Sequence, residues 1–258
     1  MAEIIVTSEN NVMTIKLNRP ERHNAMTPLM IRELTDAFRQ AGNDLKCRAV
    51  ILKGAGPSFC SGGDLEWMRS TVKYKYEENM KDAENLYEMY AAAADCPIPV
   101  LGYIEGHAYG GGLGLAAICD VAIAEESSMF CFSEARLGLV PAVISSFVTR
   151  KMRPNKVREF MLTAKPFDAA AALNAGLIEY MGRELEATEY LETTIKCLCD
   201  CGPMALRETK RLLGFLREHD NKSNRDESIR VIAERRVSTE GQEGLTGFLE
   251  KRKPAWVK

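Results

Sequence analysis

The spacing of apolar positions changes from period two to period three-to-four and back along the first half of the chain. Ile4-Ile5-Val6-Thr7 and Val12-Met13-Thr14-Ile15-Lys16-Leu17 are short β-branched runs on either side of Ser8-Glu9-Asn10-Asn11. That pattern predicts a hairpin turning on the Asn-Asn pair, with Asn18-Arg19-Pro20 ending the second strand. Thr27-Pro28 reads as an N-cap with proline at the first helical position, and Leu29, Ile31, Leu34, Ala37 and Phe38 supply an apolar stripe. Ala49-Val50-Ile51-Leu52-Lys53 hardly alternates and is stopped by Gly54-Ala55-Gly56-Pro57, which suits a strand buried on both faces. A polar-faced helix is predicted over 76–94. The strand Val100-Leu101-Gly102-Tyr103-Ile104 follows, then a glycine-rich turn, an apolar helix over 111–118, and the strand Val121-Ala122-Ile123-Ala124.

Strand and helix alternating in this way imply an α/β core. After Pro141 the pattern becomes helical, with segments over 155–163, 168–175, 187–199, 203–217 and 226–237 and one short strand near Leu177-Ile178-Glu179-Tyr180. We divide the chain into an α/β core over 1–200 and a C-terminal helical region over 201–258. Leu212, Leu213, Phe215, Leu216, Ile229, Val231 and Ile232 need a surface to cover them, and a neighbouring subunit is one candidate.

Charge then narrows the partners. The 34 basic residues nearly balance 36 acidic ones, a formal charge of −2, so no broad field exists for nucleic acid or an anionic membrane. No apolar run approaches the roughly 20 residues of a bilayer span, and Met1-Ala2-Glu3-Ile4-Ile5-Val6 lacks the features of a secretory signal, so a cytoplasmic location is expected. Cys47, Cys60, Cys96, Cys119 and Cys131 sit singly among apolar or small residues and read as small hydrophobes. Cys197, Cys199 and Cys201 are clustered, but their odd spacing splays the thiols around a helix and no histidine lies nearby, so no metal is expected.

Two glycine-rich turns follow buried strands: Phe59-Cys60-Ser61-Gly62-Gly63-Asp64-Leu65 and Gly106-His107-Ala108-Tyr109-Gly110-Gly111-Gly112-Leu113-Gly114. The second opens a helix, whose free N–H groups and dipole favour negative charge. This is the raw material of an oxyanion hole; glycines serving only close helix-strand packing are the alternative. Neither turn carries the lysine and hydroxyl of a P-loop or the spacing of a dinucleotide fingerprint. Ser61 has no Ser-His-Asp partners or nucleophile elbow, which sets a hydrolase aside. His107 is read as a hydrogen-bonded structural group rather than a base, Glu66 as a solvated helix-start carboxylate, and His23 and His219 as exposed.

In order along the chain, Leu17-Asn18-Arg19-Pro20 with His23-Asn24-Ala25-Met26, the two glycine turns, Cys119-Asp120, Phe132-Ser133-Glu134-Ala135-Arg136-Leu137-Gly138-Leu139-Val140-Pro141 and the tail Gly244-Leu245-Thr246-Gly247-Phe248-Leu249-Glu250-Lys251-Arg252-Lys253-Pro254 resemble the crotonase superfamily, the enoyl-CoA hydratase/isomerase family. The nearest resemblance is to the bacterial methylglutaconyl-CoA hydratase branch. The resemblance implies a ββα spiral core with a C-terminal helical trimerisation region, an acyl-CoA thioester as substrate, no cofactor beyond the CoA moiety, and a homotrimer or homohexamer. It further implies that the N–H groups of Gly63 and Gly111 hold the thioester oxygen, that Asn24, Ala25 and Met26 lie where the adenine is read, and that Arg19, Arg22 or C-terminal lysines meet phosphates if they are not plain surface charge. Ser61, Gly62, Asp64, Leu65, Tyr109, Gly110, Gly114, Pro141 and Ala142 fall at the remaining substrate-binding positions.

The acid/base inventory departs from the hydratase pattern, which pairs two glutamates. The first position is Gly114 and only the second, Glu134, is acidic. A carboxylate in an apolar pocket has its pKa raised, which suits Glu134 to proton transfer. Hydration of an enoyl-CoA is the expected reaction, with Δ3-Δ2 isomerisation by the same single carboxylate, or a non-catalytic acyl-CoA-binding subunit, as alternatives. Gly114 is expected to leave room for a bulky or carboxylated acyl group, and the N–H of Ala142 to help place water or carbonyl. The stretch 67–78 reads as a polar, flexible loop.

Overall fold

The computed structural model describes residues 2–257. Strands β1 (Ile4–Glu9) and β2 (Val12–Leu17) form the expected antiparallel hairpin, with Asn10 and Asn11 at φ 50° and 64°, the pair of positive values that a tight two-residue turn requires. Helix α1 (Pro28–Asn43) starts where Thr27 accepts from the Met30 N–H at 3.1 Å, and its Met30, Ile31, Leu34, Phe38 face is buried. Strands β3 (Ala49–Gly54), β4 (Val100–Ile104), β6 (Val121–Glu125) and β9 (Tyr180–Gly182) extend the hairpin in parallel to a six-stranded sheet of order β1-β2-β3-β4-β6-β9.

A second sheet is not revealed by the sequence pattern. It has three strands, β5 (His107–Tyr109), β7 (Met129–Cys131) and β8 (Phe167–Asp168), and Cys60 extends it by a bridge to Ala108. Each unit of the core therefore sends one strand to the large sheet and a few residues to the small one before entering a helix. β3 leads to the Cys60 bridge and then helices α2 (Leu65–Thr71) and α3 (Tyr76–Ala94); β4 leads to β5 and α4 (Gly111–Ala117); β6 leads to β7 and then α5 (Ala142–Lys151). This is the expected ββα spiral.

The remainder is helical: α6 (Pro154–Thr163), α7 (Ala169–Ala175), α8 (Glu184–Asp200), α9 (Pro203–Glu218), α10 (Asn221–Val237) and α11 (Thr239–Leu249). Three expectations need correcting. The stretch 67–78 is not a loop: α2 covers its start because Asp64 caps the N–H groups of Glu66 and Trp67, and α3 begins at Tyr76. The strand near 177–180 pairs three residues later, because Gly176 turns α7 off at φ 77° and the Leu177 N–H still bonds to Ala172. Helices α5 and α11 were not foreseen. Cys47, Cys60, Cys96, Cys119 and Cys131 are buried, while Cys197 and Cys201 are exposed. Among the described residues no helix is long and apolar enough to cross a membrane.

Candidate active site

Residues 60–64 run between two partners, with Gly62 at φ 97°, and this fixes where the first glycine turn points. On one edge the Cys60 N–H donates to His107 O at 3.0 Å, and its C=O accepts from the Tyr109 N–H at 2.9 Å. On the other, the Ser61 N–H donates to His23 O, the Met26 N–H to Gly62 O at 2.7 Å, and the Asp64 N–H to Met26 O at 2.8 Å. Met26 and Gly63 thus form a parallel bridge in which residues 62 and 64 take both bonds, so the Gly63 N–H points to the opposite edge, the side of β5 and α4.

Gly111 stands at that edge. It is the first residue of α4, whose amide has no acceptor inside the helix. Neither the Gly63 nor the Gly111 N–H has a hydrogen-bond acceptor among the described residues. The two peptides are neighbours: a methyl on Gly62 would lie 3.7 Å from Gly111 N and 3.1 Å from Tyr109 O. Gly110 makes the sharp entry to α4 at φ 50°, ψ −119°, a conformation open to glycine and strained for other residues, with its own N–H on Cys131 O.

Glu134 begins a single 3-10 turn, Glu134–Leu137, just past β7. Its Oε1 would stand 3.3 Å from a Cβ on Gly110, so the carboxyl rests on the backbone immediately before Gly111. Its Oε2 is buried and has no hydrogen-bond partner. Burial raises the carboxyl above the ordinary range, against a lesser lowering by its own backbone N–H.

Position 114 corrects an expectation. A Cβ there would meet Ile144 Cγ2 at 2.5 Å and the Tyr90 ring at 3.0 Å, so the missing side chain leaves no room for an acyl group. The α3 and α5 side chains already fill it. Ala142 is a second correction: its N–H donates to Val140 O at 2.7 Å across Pro141, which lies at φ −71°, ψ 50° in an inverse γ-turn, and is not free for water or carbonyl.

The residues expected to read the adenine have structural roles here. Asn24 is fully buried; its side chain accepts from the Arg19 N–H and donates to Ala55 O and Ser58 O. Ala25 and Met26 are buried with their amides bonded to Arg22 O and Gly62 O. Arg19 is not a free phosphate ligand, because it pairs with Asp64 at 3.0 Å and Glu3 at 3.3 Å and donates to Ala25 O. Arg22 is exposed, 3.9 Å from Glu66, itself solvated. Asp64 spends one carboxylate oxygen on the α2 N-terminus and the other on Arg19. Burial alone would raise its pKa, but Arg19 and the Glu66 and Trp67 amides outweigh this and hold it low. Ser61, Tyr109 and Pro141 are half-buried around the glycine turns, while Leu65 is exposed. His107 is exposed, not a buried hydrogen-bonded group; it lies on the small sheet with its ring 5.1 Å from Tyr109.

Three residues near the site escaped the sequence reading. Tyr90 is fully buried and its hydroxyl donates to Gly111 O at 2.7 Å. Ile144 packs on Gly114, and the Trp67 ring would lie 3.6 Å from a methyl on Gly63, its Nε1 donating to Asp82 at 3.0 Å. A tyrosine and a tryptophan within amphipathic helices are the available signal, since both need a partner for their polar tip when buried.

Two unclaimed amides beside a half-buried carboxyl of raised pKa make a site that can hold an oxyanion and move a proton next to it. Comparison with known proteins shows the family of the chain. The family described as Enoyl-CoA hydratase/isomerase matches residues 7–258, and the chain belongs to that family, within the crotonase superfamily. It is 32% identical over 251 residues to "Enoyl-CoA hydratase AKT6-1" of Alternaria alternata, covering 96% of this chain and 82% of that one. Among solved structures, it is similar to an enoyl-CoA hydratase from Shewanella pealeana (TM-score 0.94, 37% identity, 98% and 96% of the two chains). It is also similar to Pseudomonas aeruginosa AtuE (TM-score 0.96, 33% identity, 99% and 100%).

Proposed function

We propose that the protein adds water across the 2,3 double bond of an enoyl-CoA, or removes it in reverse, with no cofactor beyond the CoA moiety of the substrate. The observation that carries this reading is the partnerless Glu134 Oε2 beside two unclaimed amides. In the hydration direction the Glu134 carboxylate takes a proton from water as the water oxygen bonds to C3. The C2–C3 π pair moves into the thioester, whose oxygen becomes an enolate held by the Gly63 and Gly111 N–H groups. Collapse of the enolate returns the pair to C2, which takes the proton back from Glu134, leaving a 3-hydroxyacyl-CoA and the carboxylate unchanged. Two preorganised donors suit this step because loss of one such donor costs about 2.7–4 kcal/mol in a comparable hole.

A second reading is favoured by one specific observation. Ile144 and Tyr90 occupy the space at Gly114, so Glu134 is the one carboxylate of the pair, and one is sufficient to move a proton between the α- and γ-carbons. Incubation with 2-enoyl- and 3-enoyl-CoA esters in ¹⁸O water separates the two. Label in a hydroxyacyl product supports hydration. Unlabelled conversion of 3-enoyl to 2-enoyl ester supports isomerisation, and binding with no product supports an acyl-CoA-binding subunit.

A further inference from the structure

We infer that Tyr90 is a positioning residue for the oxyanion hole: its buried hydroxyl clamps the Gly111 carbonyl and so holds the neighbouring Gly111 N–H in place. This rests on the enolate reading of the same site. The triplet Gly110-Gly111-Gly112 has no side chain of its own to lock the backbone that carries a donor, and glycine is the residue with most conformational freedom. Oxyanion stabilisation depends on donors fixed before the charge develops. A clamp must come from outside the triplet, and the structure supplies one.

Tyr90 reaches it from α3. The hydroxyl donates to Gly111 O at 2.7 Å, and the residue has no exposed surface. Its ring is held on both sides: Phe147 lies at 5.5 Å between centroids, and the ring carbons fill the space beside Gly114. A side chain so enclosed has one position available, so the hydrogen bond transmits the rigidity of α3 and α5 to the first turn of α4. Burial, with Cys60 and Glu134 nearby, pushes the phenol pKa well above its ordinary value, so the group stays a donor across the working range. The absence of a side chain at 114 acquires a reason: a larger residue there would expel the ring that holds the hole.

The test uses Tyr90→Phe, which keeps the ring and removes the donor, beside Tyr90→Leu, which removes both. Steady-state kinetics on a 2-enoyl-CoA are combined with the red shift of a bound aryl-conjugated enoyl-CoA, which reports carbonyl polarisation. Amide hydrogen exchange of residues 110–115 in the unliganded protein completes it. Tyr90→Phe is expected to lower kcat by about 3–10-fold, the equivalent of one hydrogen bond. KM is expected to stay within about twofold, the red shift to shrink, and exchange at the start of α4 to quicken. Unchanged kcat and unchanged exchange in Tyr90→Phe, with losses confined to Tyr90→Leu, would reduce the tyrosine to packing and overturn the inference. Wild-type protein without turnover or red shift overturns the enolate reading instead, while the exchange comparison still decides whether Tyr90 clamps the helix start.

Discussion

Glu134 Oε2 has no neighbour to bond, and a buried polar atom without a partner is costly unless a ligand or a function accounts for it. Replacing Glu134 by Gln is expected to lower kcat by about 10²–10⁴-fold while acyl-CoA binding persists, measured by turnover and by calorimetric titration. Because burial raises its pKa, hydration should lose rate on acidification at a pH above the ordinary carboxylate range, and the pH–rate profile of the wild type shows this limb. The stability sign runs the other way. A carboxyl with a raised folded pKa favours the fold when protonated, so this contribution is lost as pH rises through that pKa. Gly114 offers a second test. Gly114→Ala should destabilise by about 1–3 kcal/mol through overpacking against Ile144 and Tyr90. Pairing it with Ile144→Ala should recover at least about 0.5 kcal/mol relative to the sum of the single changes, read from urea unfolding. The two glycine turns were legible in the sequence because free backbone donors at a helix start need such turns, whereas Gly63, Gly111 and Glu134 were singled out by the family resemblance. Tyr90 and Ile144 could not, because their roles come from α3 and α5 converging on α4, which no local pattern records.

At the scale of elements, α2 depends on a single carboxylate. Asp64 accepts from the Glu66 and Trp67 amides at 2.8 and 3.3 Å and pairs with Arg19, so one residue ties the first glycine turn to the helix that follows it. Asp64→Ala removes a helix cap, worth about 0.5–2 kcal/mol, and leaves Arg19 with Glu3 as its remaining acidic partner, so the total loss should be about 1–3 kcal/mol. The pKa of Asp64 is lowered, so its stabilisation is complete above the ordinary carboxylate pKa and is lost as pH falls through the lowered value. Unfolding midpoints of wild type and Asp64→Asn should therefore converge on strong acidification. Elements with strong local signals, such as the β1–β2 hairpin with its Asn10-Asn11 turn and α1 with its Thr27 cap, were legible in the sequence. The small sheet was not, since β5 and β7 have three residues each and pairing across the spiral, rather than alternation, makes them strands. Helix α5 was hidden by Val143, Ile144, Val148 and Thr149, β-branched residues that tertiary packing overrides, and α11 by Gly241, Gly244 and Gly247.

At the scale of the molecule, the C-terminal helices divide into a part that docks on the core and a part left open. Arg207 donates to Gly42 O at 2.9 Å and Asp44 O at 2.8 Å, capping the carbonyl end of α1, and Lys210 bridges Ile98 O and Asp120. Arg48 reaches Leu198 O at 3.0 Å at the end of α8. These contacts fasten α9 near the starts of β4 and β6, at the opposite end of the parallel sheet from the glycine turns. Helices α10 and α11 leave apolar side chains in solvent: Ile229, Ile232 and Val237 on the first, Leu245, Phe248 and Leu249 on the second, with Phe248 81% exposed. Exposed apolar surface on this scale calls for a partner, and a second copy of the chain, as a homotrimer or homohexamer, is the partner we propose. Sedimentation of the wild type should give a mass that is a multiple of the 28.7 kDa chain. Phe248→Asp with Leu249→Glu should shift it toward the monomer, with far-UV circular dichroism retained because neither side chain is buried within its own chain. A wild-type monomer sinks this proposal. A variant that stays fully assembled moves the contact from α11 to the Ile229 and Ile232 face of α10, where Ile229→Glu would then carry the same test.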